Sequence, residues 1–130
     1  MRRCDFSWTL AFMVTAISVT ALAFASQTLR DALVADKRVF DGQWGRVVTG
    51  AVVHATWGHL VRDLALVAIA GTAYEGPLAS RKLALFGLGL VLPPLAVLAF
   101  GNVEWYCGLS GLSHALLAAA LAYEFTRRRG

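Results

Sequence analysis

Four long apolar runs dominate this sequence, and they constrain its fold more than any other feature. They cover residues 6–26, 50–74, 83–100 and 109–125, and each is close to the length of about 20 residues that a helix needs to cross a bilayer. Only 15% of the 130 residues are charged, whereas a soluble domain is about 25% charged. The pattern predicts an all-α membrane protein, with one domain of four transmembrane helices over residues 1–130.

The first run has two interpretations. The basic start Met1-Arg2-Arg3 and the ending Ala23-Phe24-Ala25 are also typical of a secretory signal peptide with an A-x-A cleavage site. The apolar part of a signal peptide is only about 7–15 residues long, however, and this run is longer. We therefore favour a retained first transmembrane helix.

The basic residues predict how the chain lies in the membrane. With a cytoplasmic N-terminus, four spans place seven of them on the inner side and four on the outer side, as the positive-inside rule requires. We expect a protein of the bacterial inner membrane with a cytoplasmic N-terminus, and the lipid bilayer around it. Because the charges flank apolar runs and form no basic stripe with interleaved aromatics, we expect no nucleic-acid partner. The inner set is Arg2, Arg3, Arg81, Lys82, Arg127, Arg128 and Arg129, and the outer set is Arg30, Lys37, Arg38 and Arg46.

The second run contains ionisable residues, which are costly inside a bilayer and usually functional. His59 and Asp63 are four residues apart and share a helix face, whereas His54 is off that face unless the helix begins after it. Three interpretations stay open. The group is an oxyanion or proton-handling site facing Ser110, a metal site completed by His114, or a pair of buried histidines bonded to backbone carbonyls.

The cysteines give no sign of a metal site or a disulfide. Cys4 and Cys107 are far apart in sequence, fall on opposite membrane faces and lack the spacing of metal ligands. We predict no cofactor and no metal.

A serine framed by glycines opens the fourth run, in the sequence Gly108-Leu109-Ser110-Gly111. Small neighbours leave its hydroxyl and backbone N–H open, as a nucleophile and its oxyanion site require. Taken alone, such a string more often marks a simple turn before a helix. His114, four residues later, would share a helix face with Ser110, but nothing nearby would orient its imidazole.

Small residues also follow one stripe of the fourth run, at Gly111, Ala115, Ala118 and Ala122. Such spacing allows membrane helices to approach closely, so we expect this helix to be central in the bundle.

Together these motifs resemble a known family. Thr49 to Glu75 resembles the second transmembrane segment of rhomboid intramembrane serine proteases, with its pattern H-x-x-x-x-H-x-x-x-N followed by a glycine and a glutamate. Gly108 to Gly111 resembles the G-x-S-G of their fourth segment, and Gly42 to Arg46 resembles their G-x-x-W-R stretch. The run from Trp105 to His114 is most similar to the rhombosortase branch, and the resemblance covers about Gly42 to Tyr123.

The resemblance implies a serine-type endopeptidase that acts on transmembrane protein substrates without a cofactor. Ser110 would be the nucleophile, and His59 and Asp63 would take the two oxyanion positions. The rhombosortase branch implies substrates with a C-terminal Gly-Gly, a membrane helix and a basic tail. The residues placed near the site are His54, Gly108, Gly111 and His114, and Glu75 would be structural at the cytoplasmic end.

Two departures from the family pattern bear on activity. Asp63 stands where the family has asparagine, and it could donate to an oxyanion only when protonated. The family's general base is a histidine on its sixth transmembrane helix, and this sequence has four of the usual six helices and no residue that matches it. We therefore expect the 130-residue chain alone to be inactive.

Two other functions remain as alternatives. One is a catalytically inactive rhomboid-like protein that binds membrane helices in the same groove. The other is a small four-helix transporter, in which Asp63 would couple to protons.

Overall fold

The structure is a computed structural model that describes residues 7–130. The basic start Met1-Arg2-Arg3, Cys4 and the predicted first residue of the first helix lie outside this part of the chain. The elements are, in order, α1 (Trp8–Ala25), α2 (Gln27–Leu33), β1 (Ala35–Asp36), a 3₁₀ turn (Lys37–Val39), α3 (Gly45–Val52), α4 (Trp57–Tyr74), a second 3₁₀ turn (Ala79–Arg81), α5 (Lys82–Phe100), β2 (Trp105–Tyr106) and α6 (Ser110–Arg129).

The fold class predicted from the sequence is confirmed, since helices make up most of each predicted apolar run within the described residues. Among the described residues, α1 and the stretch Leu83–Phe100 of α5 are long and apolar enough to cross a membrane. The pair α3 and α4 passes the same test if it is counted as one bent span. The last helix extends past the predicted residue 125 to Arg129.

The prediction of one continuous helix over residues 50–74 is wrong. The chain leaves the helical conformation at Val53, which is extended, and α3 and α4 meet at an angle of 94°. Thr56 starts the new helix, because its hydroxyl accepts a hydrogen bond from the N–H of His59 at 3.1 Å. The break also places His54 before α4, as the spacing of the two histidines requires.

The connection between α1 and α3 contains helix and strand. β1 pairs with β2 in an antiparallel ladder, in which Ala35 lies opposite Tyr106 and Asp36 lies opposite Trp105. Arg46 holds the connection against α3, since its guanidinium donates to the carbonyls of Asp31 at 2.9 Å and Val34 at 3.0 Å. The ladder therefore fixes the backbone just ahead of α6.

The last helix packs against both α4 and α5. At its start the predicted stripe of small residues is in contact with α5, because a Cβ added to Gly111 would lie 2.5 Å from Pro93. Further along α6, the prediction that this stripe contacts another helix is wrong, because Ala118 and Ala122 are exposed. The buried side of α6 consists of Leu112, Ser113, Leu116 and Ala120.

Glu75 joins the end of α4 to the start of α1. Its carboxylate accepts hydrogen bonds from the Ser7 hydroxyl at 3.0 Å, the Trp8 N–H at 2.6 Å and the Thr9 N–H at 3.3 Å. The first N–H groups of a helix have no partner within it, and the helix dipole favours a negative charge there. The structural role expected for Glu75 is therefore that of a cap on α1.

Candidate active site

Ser110 is the first residue of α6, and the turn before it depends on glycine. Gly108 has a φ of +108°, a conformation that residues with a side chain rarely adopt. Its N–H donates to the carbonyl of Gly50 at 3.0 Å, so the turn is pinned to α3. The serine is thus presented from a backbone that is fixed at both the turn and the helix.

The same turn lies against the polar residues of α4. A Cβ added to Gly108 would come within 2.8 Å of Nε2 of His59 and 3.0 Å of Oδ2 of Asp63. The absence of a side chain at Gly108 therefore lets the backbone leading to Ser110 lie directly on His59 and Asp63. The structure thus places the two polar groups expected from the sequence on neighbouring elements.

His54 is fully buried and connects α1 to this turn. The Thr20 hydroxyl donates to the carbonyl of Val52 at 3.3 Å and lies 3.2 Å from Nδ1 of His54, so Nδ1 carries the hydrogen. Nε2 of His54 then accepts from the N–H of Leu109 at 3.2 Å. A continuous chain of hydrogen bonds therefore leads from α1 to the residue before Ser110.

Asp63 lies between the two histidines and is only 5% exposed. Its Oδ2 atom is 3.1 Å from Nε2 of His54 and 3.3 Å from Nε2 of His59. The side chain of His59 is 25% exposed, which leaves it open to a ligand.

Among the described residues the hydroxyl of Ser110 makes no hydrogen bond to this cluster and lies at a cleft between α5 and α6. Its Oγ atom lies 3.3 Å from the phenol oxygen of Tyr106, which also accepts from the N–H of Gly111 at 3.2 Å. The cleft has a volume of about 530 Å³, and most of its lining is apolar. Its lining residues are Pro93, Val97, Tyr106, Ser110, Gly111, His114 and Ala115.

His114 shares the cleft with Ser110, but the two side chains are not paired. Nδ1 of His114 donates to the backbone carbonyl of Ser110 at 2.6 Å, as a residue four positions along a helix can. The metal interpretation required His114 to join His54, His59 and Asp63. Within residues 7–130 no group of three or more His, Cys, Asp or Glu side chains is arranged to hold a metal ion.

Sequence reasoning missed two members of the site, Tyr106 and Thr20. Neither belongs to a periodic pattern that would reveal its partner, although a threonine in an apolar run is a weak signal for a buried hydrogen bond. Cys107, also in the turn, is a buried thiol, and burial raises its pKa to about 11. It is therefore a packing residue and a poor nucleophile.

The fold and site together define a class of protein: a helical membrane protein with a glycine-framed serine next to a largely buried His–Asp–His cluster. The family model for the Rhomboid domain matches residues 41–130 of this chain. The chain belongs to the rhomboid family, whose members are intramembrane serine proteases acting on transmembrane substrates. No curated protein matches it.

Proposed function

We propose that this protein is a serine-type endopeptidase in which Ser110 attacks a peptide carbonyl at the membrane. The observation that carries the proposal is the position of the serine. Its Oγ lines an open cleft, while the backbone just before it lies on His59 and Asp63. Acyl transfer requires a nucleophile and hydrogen-bond donors that reach the same carbonyl group, and the short turn through Gly108 and Leu109 joins the two here.

The chemistry assigns a role to each residue. Ser110 Oγ would bond to the carbonyl carbon, and the C–N bond would break as the hydroxyl proton passes to the leaving amine nitrogen. Water would then release the acyl group as a carboxylic acid and restore the serine hydroxyl. The backbone N–H of Ser110 and the imidazole of His59 would stabilise the oxyanion, with Asp63 holding His59 in place. In residues 7–130 the hydroxyl of Ser110 is bonded to Tyr106 and to no imidazole.

We further propose substrates of the rhombosortase type, with a C-terminal Gly-Gly, a membrane helix and a basic tail. The run from Trp105 to His114 supports this branch. The apolar lining of the cleft by Pro93, Val97 and Ala115 suits a chain that enters from the bilayer. With a cytoplasmic N-terminus, Ser110 would lie toward the outer side of the inner membrane.

The test is cleavage of such a tail by the purified protein in detergent or in vesicles. Ser110→Ala should abolish cleavage, whereas Ser80→Ala, which changes an exposed serine in the second 3₁₀ turn, should leave it intact. Cleavage that persists in Ser110→Ala would remove Ser110 from the mechanism.

One observation favours a second candidate, a non-catalytic protein that binds membrane helices. The part of the chain that the structure describes shows no base in contact with Ser110 Oγ, and Asp63 replaces the family's asparagine. This candidate predicts that the same tail is captured, uncut, equally well by the wild-type protein and by Ser110→Ala. Cross-linking of a labelled tail distinguishes it from the peptidase.

A further inference from the structure

Within residues 7–130, Tyr106 is the residue whose side chain is hydrogen-bonded to the candidate nucleophile. Its phenol oxygen lies 3.3 Å from Ser110 Oγ and accepts the N–H of Gly111 at 3.2 Å. A Cβ on Gly111 would lie 3.0 Å from the same oxygen, so the phenol group fits closely over the start of α6. Nothing in the motif pattern that led to Ser110 assigns a role to this tyrosine.

We propose that Tyr106 is a positioning residue for Ser110, holding its hydroxyl in the orientation from which it attacks. This inference rests on the proposed function, because it presupposes that Ser110 is the nucleophile. A phenol group has one donor and two acceptor positions, and Gly111 occupies one acceptor. The phenol group binds Ser110 Oγ through its remaining donor or its remaining acceptor position.

The backbone of Tyr106 is fixed by the sheet. Tyr106 lies opposite Ala35 in the ladder of β1 and β2, so its main chain is tied to the connection between α1 and α3. The backbone that carries the phenol group is therefore held in place by the strand pairing.

The ring of Tyr106 is fixed by packing. It is half-buried and packs against a small core that includes Val39, Val47 and Leu98. With both backbone and ring held, the phenol oxygen is a stationary partner for a hydroxyl that would otherwise rotate freely in an open cleft.

Tyr106 also replaces a missing helix cap. Leu109, the residue before α6, has no side chain that could accept from the first N–H groups of the helix. Tyr106 accepts from one of them, at Gly111. A purely structural cap would explain the bond from Gly111 to Tyr106, but it would not affect the reactivity of Ser110. The experiment below separates these two roles.

The experiment measures how fast a fluorophosphonate modifies Ser110 in the full chain. In that reaction the serine oxygen bonds to phosphorus, and fluoride and the hydroxyl proton leave. Wild type, Ser110→Ala, Tyr106→Phe and the control Tyr123→Phe are compared, with thermal unfolding measured in parallel. Tyr123 lies on α6 at the far end, where its ring packs on Tyr74.

We expect wild type to be labelled, Ser110→Ala to stay unlabelled and Tyr106→Phe to react about five- to twentyfold more slowly, the worth of one or two neutral hydrogen bonds. Tyr123→Phe should react like wild type. With fluorinated tyrosines at position 106, the rate should change steadily with phenol acidity while the unfolding temperature stays constant.

The outcomes that overturn the inference are distinct. Labelling of Tyr106→Phe at the wild-type rate removes the role of Tyr106 and leaves the proposed function standing. A slower rate in Tyr106→Phe with no trend among the fluorinated tyrosines reduces Tyr106 to a cap. No labelling of wild type contradicts the proposed function and the role of Tyr106 with it.

Discussion

Asp63 is the residue on which the polar cluster depends. One of its oxygens lies within 3.3 Å of both His54 and His59, and the residue is almost completely buried. Polar groups out of reach of water must bond to each other, or their burial costs free energy. Removing Asp63 therefore affects both imidazoles at once.

We predict that Asp63→Leu lowers the free energy of unfolding by about 1–3 kcal/mol, because both imidazoles lose their contact with the carboxyl group that lies between them. Asp63→Asn, which has nearly the same shape and keeps hydrogen-bonding atoms, should cost clearly less. Thermal unfolding of both variants in detergent provides the measurement. Equal stability of the leucine and asparagine variants would show that the contacts of Asp63 do not hold the cluster.

At the scale of residues, the spacing of the motif residues along the sequence was enough to single out part of the candidate site. Ser110, His59 and Asp63 carry a recognisable pattern, and the structure places their elements side by side. Tyr106 and Thr20 could not be predicted in the same way. Tyr106 is four residues from Ser110 but in a strand, so no helical rule relates them, and Thr20 meets His54 through the packing of α1.

Among the helices, the start of α1 depends on a charge supplied from α4. Burial raises the pKa of the Glu75 carboxyl, but the hydrogen bonds from Thr9, Trp8 and Ser7 outweigh it and hold the pKa below its ordinary value. A group whose pKa is lowered by folding stabilises the fold at pH values above its unfolded pKa. That stabilisation is lost as the pH falls through the folded pKa.

We predict that Glu75→Gln lowers the free energy of unfolding by about 1 kcal/mol at neutral pH, the usual worth of a helix cap. The difference from wild type should be complete above about pH 5 and should shrink below about pH 4. Unfolding temperatures measured from pH 3 to pH 8 check this.

The matched control for this prediction is Glu104→Gln, which changes an exposed glutamate between α5 and β2. It should show neither the loss at neutral pH nor the convergence in acid. A difference between wild type and Glu75→Gln that stays constant over the whole pH range would contradict a role for the negative charge.

The break between α3 and α4 is a feature that the apolar run over residues 50–74 did not predict. The run over residues 50–74 is apolar on both sides of the break, so hydrophobicity alone gave one helix. The cap at Thr56 is a local signal, and the five-residue step between His54 and His59 pointed the same way. The strands β1 and β2 contain only two residues each, which is too short for an alternating pattern that would predict a strand.

At the scale of the whole molecule, the sides of the membrane follow from the number of crossings. We predict that a cysteine at Trp44, an exposed residue before α3, faces the outer side, and that a cysteine at Arg129 faces the cytoplasm. The four spans predicted from the sequence give three crossings between the two positions, by α3 with α4, by α5 and by α6, and these put the positions on opposite sides. A membrane-impermeant maleimide on intact and on lysed cells provides the measurement.

The labelling experiment needs only Cys4→Ser as its background, since the Cys107 thiol is buried and its pKa is raised to about 11. Trp44→Cys should react in intact cells, and Arg129→Cys only after lysis. The reverse pattern would contradict a cytoplasmic N-terminus. Reaction of both positions in intact cells would contradict three crossings between them.

The ladder between β1 and β2 also bears on the order in which the chain folds. Its two strands are separated in sequence by α3, α4 and α5, so their pairing is a contact between distant parts of the chain and closes a long loop. Contacts between helices that follow each other closely form sooner. We therefore expect Tyr106, and with it the phenol oxygen beside Ser110, to reach its final place after the helices around it have packed.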